Sequence, residues 1–273
     1  MPEIIGYACA LMVGIVLGIL GGGGAILGVP ILVYLMKIDE LQATGYSLFI
    51  VGTSSLVGAM NYLRKNPEQK SIILSTVLWF APSTILVGIT VRKLIKWGVP
   101  ETIFSIGEIT FTRNLMIMLF FAVIMIIVAQ KMLSSPKSNV SEKEISPFRK
   151  SDLLKRGIVV GIVAGIAGSG AGFLITPVLV KYMKMSMKMA VGTSLWIISA
   201  NSWFIFLGDL IGGKGLGEIN WNLLLLFTGI AVVGIFIGNR LSGFFSNEKL
   251  KRAFGYFVLV IGALILVMEY WKL

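Results

Sequence analysis

The stretch GIVLGILGGGGAILGVPILVYLMK, residues Gly14–Lys37, decides the fold because the chain contains it twice. The second copy, GIVAGIAGSGAGFLITPVLVKYMK, spans Gly161–Lys184 at a fixed offset of 147 residues. The match continues as far as Ser55, with 19 identities in the 42 aligned pairs that begin at Gly14. Each copy is a hydrophobic segment interrupted by a cluster of glycines. The chain is therefore an internal duplication, and each half begins with a broken hydrophobic segment.

The composition is that of a helical membrane protein. Hydrophobic residues make up 56% of the 273 and charged residues only 14%, whereas a soluble domain carries about 25% charged residues. Apolar runs of about 20 residues recur along the whole length, and each is long enough to span a bilayer as a helix. We therefore expect a multi-pass protein of the cytoplasmic membrane, with the lipid bilayer as a partner.

The charge and the missing residue types exclude several functions. The net charge is +11, but Lys and Arg lie between the apolar blocks, so charged loops beside anionic lipid account for it and no nucleic-acid partner is expected. The chain has no histidine and one cysteine, Cys9, so we expect no metal, no cofactor and no intrachain disulfide. An enzyme is the remotest alternative, because a Ser-His or zinc hydrolase normally needs histidine.

The apolar blocks define the organisation of the chain. Eight are visible, at about 4–36, 44–63, 71–91, 114–133, 157–183, 189–208, 221–238 and 253–271. The polar stretch Ser134–Asp152 contains two prolines, several serines and mixed charge, which is typical of a flexible linker. The prediction is a first transmembrane repeat at 1–133, a cytoplasmic linker at 134–152 and a second repeat at 153–273.

The first block of each half is predicted to enter the membrane and return. Its second arm in the first half, Ala25–Met36, would be about 18 Å long as a helix, short of a ~30 Å hydrocarbon core. If both blocks return, the second half is inverted, and 17 of the 24 Lys and Arg residues share one face with the linker. The positive-inside rule places this face in the cytoplasm. Arg92, Lys93 and Lys96 fall outside, where we expect an interfacial helix around Val91–Trp97.

The predicted fold is thus an all-α polytopic inverted repeat. Each half contains a Gly-tipped, broken-helix hairpin followed by three transmembrane helices. Non-helical backbone at membrane depth is tolerated only where protein buries it or water reaches it. The two tips are therefore expected to meet near the midplane, and paired Gly-interrupted segments of this kind indicate the binding site of a secondary transporter.

The two glycine tips are the first candidate substrate site. They consist of Gly21, Gly22, Gly23 and Gly24 in the first half and of Gly168, Ser169, Gly170, Ala171 and Gly172 in the second. Glycine leaves the backbone N–H groups uncovered, and a helix that begins at each tip adds partial positive charge. Converging helix N-termini bind an anion without a buried lysine. The alternative is that glycines only permit close helix packing, which we expect for the upstream stripes Gly14–Gly18 and Gly161–Gly165.

The second apolar block of each half adds candidate hydroxyl and amide ligands. They are Ser47 and Ser54 in the first half and Thr193, Ser194 and Asn201 in the second, where Ser194 and Asn201 are the repeat mates of Ser47 and Ser54. Neutral donors beside the tips suit an oxyanion. The alternative is hydrogen bonding between transmembrane helices. Both interpretations stay open for these five residues.

Two acidic residues lie within apolar stretches. Asp209 is in IFLGDLIGG and Glu108 in SIGEITF. Either could couple transport to protons, and either could instead sit at the membrane interface.

These motifs carry a resemblance to a known family. The doubled pattern G-x-x-x-G-x-x-G-x-G followed by proline, together with A-x-G-[YT]-S-L, resembles the TauE/SafE (TSUP) membrane transporters, and the resemblance covers nearly the whole chain. It implies export or uptake of small sulfur-containing anions such as sulfite, sulfoacetate and related organosulfonates. The matching residues are the glycine tips and the segments around Ser47 and Ser194.

The resulting hypothesis is a secondary transporter of such an anion that works by alternating access between the repeats. A passive anion channel on the same scaffold is the first rival. A membrane scaffold or sensor, in which the repeats only pack, is the second. The sequence leaves the direction of transport, the coupling ion and a homo-oligomeric state open.

Overall fold

The computed structural model describes residues 2–38, 40–100, 102–106, 109–134, 149–167, 172–211 and 219–270. Ten helices of these ranges are α1 (Pro2–Leu20), α2 (Gly28–Pro30), α3 (Glu40–Lys65), α4 (Lys70–Gly98), α5 (Arg113–Ser134), α6 (Lys150–Ala167), α7 (Gly172–Tyr182), α8 (Met187–Ile211), α9 (Trp221–Gly243) and α10 (Asn247–Tyr270). Gly21–Leu27 and Pro67–Gln69 are 3₁₀ helices, and Ile31–Leu35 is a π-helix. Two strands, β1 (Thr102–Ile106) and β2 (Ile109–Thr112), pair as a short antiparallel hairpin before α5.

The structure confirms a polytopic helical membrane protein. Among the described residues, six helices are long and apolar enough to cross a membrane: α3, α4 and α5 in the first half, and α8, α9 and α10 in the second. The apolar parts of α1 and α7 are shorter. The interfacial helix expected around Val91–Trp97 is not a separate element, because α4 runs unbroken to Gly98. The basic residues at 92, 93 and 96 therefore belong to the last turns of the same helix that forms the apolar span.

The first block of each half folds back on itself, as predicted. In the first half, a Cβ added at Gly6 would overlap Met36 Sδ, so the end of the second arm lies beside the start of α1. In the second half, the guanidinium of Arg156 in α6 lies 4.1 Å from the ring centre of Tyr182 at the end of α7. The two arms of each hairpin therefore run in opposite directions.

Matching C-terminal caps end the two second arms. Lys37 (φ 54°) and Lys184 (φ 50°) both adopt the left-handed conformation and occupy the same repeat position. The next N–H donates to a carbonyl six residues back in each case, from Ile38 to Leu32 O (3.1 Å) and from Met185 to Leu179 O (3.2 Å). This bond closes a loop one residue wider than that of a Schellman motif, and it likewise satisfies a carbonyl that the helix end would otherwise leave unpaired.

The halves pack reciprocally. Helix α1 packs along α9, and its repeat mate α6 packs along α4, which is the mate of α9. The mates α3 and α8 pack on each other, as do α5 and α10. Helices α3 and α8 are antiparallel. A Cβ added at Gly52 would lie 3.1 Å from Ser202 Cβ, and one added at Gly192 would overlap the ring of Tyr62, so a later residue of α3 contacts an earlier residue of α8. Each of these helices of the first half thus contacts, in the second half, the repeat equivalent of the element that its own mate contacts in the first half. This is the pattern of a two-fold interface.

Glycines set the distance between the paired helices, as expected for the upstream stripes. A Cβ added at Gly234 of α9 would lie 2.9 Å from Gly14 Cα, and one added at Gly238 would lie 2.9 Å from Gly18 Cα. In the other pair, a Cβ at Gly165 of α6 would lie 2.7 Å from Gly88 O of α4. Because lipid offers no hydrophobic driving force between helices, such close approach and the dispersion contacts that it permits hold these pairs together.

Several segments rich in basic residues lie at one end of the bundle. The Lys188 N–H donates to Asn247 Oδ1 (3.1 Å), which joins the turn before α8 to the turn before α10. A Cβ at Gly255 near the start of α10 would lie 2.9 Å from Leu133 at the end of α5. Lys150 at the start of α6 lies 4.9 Å from the Trp79 ring in the first part of α4. This is the face that the distribution of basic residues predicts to be cytoplasmic.

Replacing Gly234 by valine is expected to destabilise the α1–α9 pair by about 1–3 kcal/mol or more, because the added side chain overlaps the α1 backbone. Gly229, on the same helix, has nothing within 4 Å of an added Cβ and is the matched control. The amount of monodisperse detergent-solubilised protein and its melting temperature should fall for Gly234→Val and not for Gly229→Val. Equal behaviour of the two variants would contradict the role assigned to the glycine contact.

Lys37 and Lys184 are both exposed and lie before the antiparallel mates α3 and α8. In a Cys9→Ser background, Lys37→Cys and Lys184→Cys are expected to react with a membrane-impermeant maleimide from opposite faces, with position 184 on the cytoplasmic side. Labelling of sealed right-side-out and inside-out vesicles measures this. Reaction of both variants from the same face would reject the inverted repeat.

Candidate functional site

The first glycine tip requires glycine at its first position. Gly21 has φ +65°, a left-handed conformation that costs other residues roughly 1–2 kcal/mol. A Cβ there would also lie 2.5 Å from Ser194 Oγ and 3.2 Å from Val191 Cα. The tip of the first hairpin therefore rests directly on α8 of the second half.

The two hairpins meet backbone to backbone. A Cβ added at Gly22 would overlap the Gly172 carbonyl and lie 3.1 Å from Phe173 Cα. A Cβ at Gly172 would in turn lie 3.4 Å from Ala25 Cβ. The first tip thus contacts the start of α7, and the meeting of both tips near the midplane stays a prediction. The other residues of the second tip, Gly168, Ser169, Gly170 and Ala171, lie outside the described residues.

One expectation about the tips is wrong. The chain after the first tip does not begin a regular α-helix, since Gly21–Leu27 is 3₁₀, Gly28–Pro30 a single α-turn and Ile31–Leu35 a π-helix. Four consecutive glycines have poor helix propensity, and the positive φ of Gly21 interrupts the regular hydrogen bonds. In the second half, α7 does begin at Gly172 and continues for 11 residues. The described residues therefore place one α-helix N-terminus at the tips, that of α7.

A cavity of about 50 Å³ lies beside this contact. At about 12 Å³ for each water molecule, it has room for roughly four, which is comparable to a small oxyanion. Both hairpins and the helices α3, α6 and α8 contribute to its wall, through Ala25, Ser47, Leu48, Val51, Val160, Ala164, Gly172, Ile175, Ile198, Asn201, Ser202 and Ile205. The cavity therefore lies between the two halves of the chain.

The polar part of the wall consists of three neutral side chains. Ser47 and Asn201 were predicted from the sequence, and Ser202 was not. Ser202 carries a sequence signal nevertheless, because its repeat mate is the identical residue Ser55. The hydroxyl and amide groups supply hydrogen-bond donors without a formal charge.

Thr84 of α4 orients the amide of Asn201. Thr84 Oγ1 lies 3.2 Å from Asn201 Oδ1 and 2.8 Å from Ala81 O. The Thr84 hydroxyl has one proton and shares it between these two oxygens. When it donates to Asn201 Oδ1, the NH₂ group of Asn201 is left as a donor, which is the polarity that an anion needs. Thr84 was not predicted, and no repeat pattern marks it, because its role depends on the packing of α4 against α8.

The remaining predicted residues lie outside the cavity wall. Ser194 Oγ accepts from Thr176 Oγ1 (3.0 Å) and donates to Val191 O (2.9 Å), and Thr193 Oγ1 donates to Met189 O (2.8 Å). Both serve helix packing here. Ser54 is fully buried and its hydroxyl has no partner. Of the first tip, Gly22 contacts the lining residue Gly172, and the adjacent Ala25 lines the cavity. Gly21 and Gly24 contact residues outside the wall, and the surroundings of Gly23 lie outside what the structure describes.

The site is electrostatically neutral apart from the start of α7. No ionisable side chain is among the described residues that line the cavity. A charged side chain at this depth would cost about 2.5–3.5 kcal/mol on insertion scales, whereas the N-terminus of α7 at Gly172 offers partial positive charge from backbone alone. Asp209 is half-buried near the end of α8 and does not line the cavity; Glu108 lies outside the described residues. No group of three or more His, Cys, Asp or Glu suited to a metal occurs in the described ranges.

The profile of the family described as Sulfite exporter TauE/SafE matches residues 6–265. The Probable membrane transporter protein YdhB of Bacillus subtilis (strain 168) is 26% identical over 255 residues, which cover 93% of this chain and 96% of that protein. A Probable membrane transporter protein of Xylella fastidiosa (strain Temecula1) is 26% identical over 273 residues, which cover 95% and 93%. The Probable membrane transporter protein MJ0441 of Methanocaldococcus jannaschii is 31% identical over 109 residues, 38% of this chain and 39% of that protein. No solved structure matches the chain.

Gly21→Ala is expected to lower the stability of the folded protein by roughly 1–2 kcal/mol through φ alone, with a further loss from the overlap with Ser194. Gly208, in α8, has nothing within 4 Å of an added Cβ, so Gly208→Ala is the matched control and should be neutral or slightly stabilising. Thermal unfolding in detergent measures both. An unchanged melting temperature for Gly21→Ala would show that the tip can rearrange without cost.

Proposed function

Since the chain belongs to the sulfite exporter TauE/SafE family and is a multi-pass membrane transporter, we propose that it carries small sulfur-containing anions across the cytoplasmic membrane. Sulfite, sulfoacetate and similar organosulfonates are the proposed substrates, and alternating access between the two halves is the proposed mechanism. The observation that carries the proposal is the neutral polar cavity between the hairpins, lined by Ser47, Asn201 and Ser202 beside the N-terminus of α7.

The donors in this cavity favour an anion over a cation. The serine hydroxyls and the amide of Asn201 can donate hydrogen bonds to an anion, and the N-terminus of α7 adds positive partial charge. No carboxylate is among the described residues that line the wall. A sodium or divalent cation would need several oxygen ligands instead. The orientation of Asn201, whose Oδ1 lies within hydrogen-bonding distance of Thr84, adds to this preference.

No lysine or arginine is among the described residues of the cavity wall, which suits a site that must release its anion. A full charge at low dielectric would hold an anion tightly, because Coulomb energies increase as the dielectric constant falls. Hydrogen bonds and one helix terminus bind more weakly, so release remains fast. The apolar part of the wall, including Val160 and Ile205, accommodates the short carbon chain of an organosulfonate.

The packing of the halves supports alternating access. Mates α3 and α8 are antiparallel and cross beside the cavity, and the hairpins contact each other across it. In inverted-repeat transporters, one repeat rocks against the other around a fixed midplane site. If the linker is cytoplasmic, the Ser47 end of α3 faces outward, so the cavity lies toward the outer side of the crossing.

Counterflow in proteoliposomes tests this proposal. We expect unlabelled internal sulfite to accelerate uptake of ³⁵S-sulfite, and we expect Ser47→Ala and Asn201→Ala to lower apparent sulfite affinity about tenfold or more, because each loses a donor to a charged acceptor. Thr228→Val is the matched control, since Thr228 Oγ1 donates to Leu224 O within α9 (2.7 Å) and does not line the cavity. Downhill flux without counterflow would identify the passive channel, and the absence of any anion flux would favour the scaffold.

A further inference from the structure

Three consecutive side chains of α3, Thr53, Ser54 and Ser55, have buried hydroxyls without a hydrogen-bond partner among the described residues. Ser54 and Ser55 have no exposed surface at all. Other buried hydroxyls in these helices donate to their own backbone, as Thr76 does to Ile72 O (2.8 Å). A buried hydroxyl without a partner destabilises the state in which it occurs. Ser54 and Ser55 are therefore candidates for groups that a ligand or another conformation satisfies.

Their repeat mates are residues of the cavity wall. Ser54 corresponds to Asn201 and Ser55 to Ser202, and both mates line the cavity. A further pair of mates, Val51 and Ile198, lines it from α3 and from α8. These two apolar residues thus form a wall that both halves share.

The orphaned pair lies on the other side of this shared wall. Ser54 and Ser55 follow Val51 by three and four residues, so they occupy the same helix face one turn further along. Asn201 and Ser202 follow Ile198 in the same way. Because α3 and α8 are antiparallel, the two pairs extend from the wall in opposite directions across the membrane.

On the side of the shared wall where Ser54 and Ser55 lie, leucine replaces an alanine of the cavity side. Ala164 of α6 lines the cavity, and its repeat mate is Leu17 of α1. Leu17 is fully buried and belongs to one cluster with Val51 and Ile198, and its Cγ is 2.5 Å from the position of a Cβ at Gly24. The longer side chain occupies the volume that alanine leaves open on the cavity side.

The hydrogen bond between Thr176 and Ser194 is a further difference between the two sides of the shared wall. Ser194, the mate of the cavity residue Ser47, accepts from Thr176 (3.0 Å). The mate of Thr176 is Val29, which cannot donate to Ser47. In this arrangement Ser194 accepts from Thr176 and donates to Val191 O (2.9 Å), whereas Ser47 lines the cavity.

We propose that Ser54 and Ser55, together with Ser194, form a second half-site for the same small oxyanion, which opens to the opposite face of the membrane when Leu17 withdraws. This inference rests on the proposed transport function. The anion would exchange hydrogen bonds with Ser47, Asn201 and Ser202 for bonds with the second set as the halves move. The orphaned hydroxyls are then the binding groups of a state other than the one described.

Cysteine accessibility tests the second half-site. In a Cys9→Ser background, Ser202→Cys is expected to react with a membrane-impermeant maleimide from one face and Ser54→Cys from the opposite face. Thr228→Cys, also buried, is the control and should react from neither. Reaction of both test variants from the same face, or reaction of Ser202→Cys alone, would overturn the proposal. Ser55→Cys serves as the second variant if Ser54→Cys does not fold.

Protection by sulfite separates this proposal from the proposed function. Sulfite at millimolar concentration is expected to slow labelling of both Ser202→Cys and Ser54→Cys severalfold. Protection of Ser202→Cys alone would overturn the second half-site and leave the anion site intact. Protection of neither would reject sulfite binding itself and the half-site with it.

The repeat mates Leu17 and Ala164 allow two opposite substitutions that test the same role. Adding Leu17→Ala to the Ser54→Cys background is expected to increase its labelling rate at least threefold, because the obstruction is removed. Adding Ala164→Leu to the Ser202→Cys background should decrease labelling by a similar factor. Unchanged rates in both double variants would overturn the role of Leu17, and the second substitution remains informative if the first does not fold.

Discussion

The contact between the two hairpins is the constraint on which the rest of the structure depends. The first tip approaches the start of α7 so closely that a single Cβ at Gly22 would overlap the Gly172 carbonyl. Irregular backbone at membrane depth survives only where protein or water satisfies it. The 3₁₀ segment of the first hairpin packs against α7 and α8 of the second half, whereas the π segment packs on α1 and α3 of its own half. The cavity exists because the hairpins meet there while the surrounding helices remain apart.

The described wall of the cavity contains neutral hydrogen-bonding groups and no charged side chain. A lysine at this depth would be costly to insert and slow to release an anion, whereas hydroxyls, one amide and the N-terminus of α7 distribute the same preference over weak donors. The position of Thr84 beside Asn201 Oδ1 (3.2 Å) shows how a residue outside the cavity wall contributes. It leaves the amide NH₂ as the donor without adding a charge.

Duplication followed by divergence explains why similar halves have different roles. The second arm of the first hairpin is broken into 3₁₀, α and π segments, while that of the second is one α-helix. Leu17 of the first repeat is equivalent to Ala164 of the second, and Ser54 is equivalent to Asn201. Both arms nevertheless end in the same cap, with Lys37 and Lys184 left-handed. The halves therefore retain one framework and differ at the residues that line or close the cavity.

The sequence by itself determined the membrane class, the duplication and the hairpins, because hydrophobic length and a repeat at fixed offset are local properties that need no knowledge of packing. It also indicated Ser47, Asn201 and Gly172, since a repeat places equivalent residues at equivalent depths. It did not distinguish them from Thr193 and Ser194, whose hydroxyls are used within the protein. Only the tertiary structure decided which of these residues line the cavity and brought Thr84 beside Asn201, because the surroundings of a hydroxyl depend on which helix lies opposite to it.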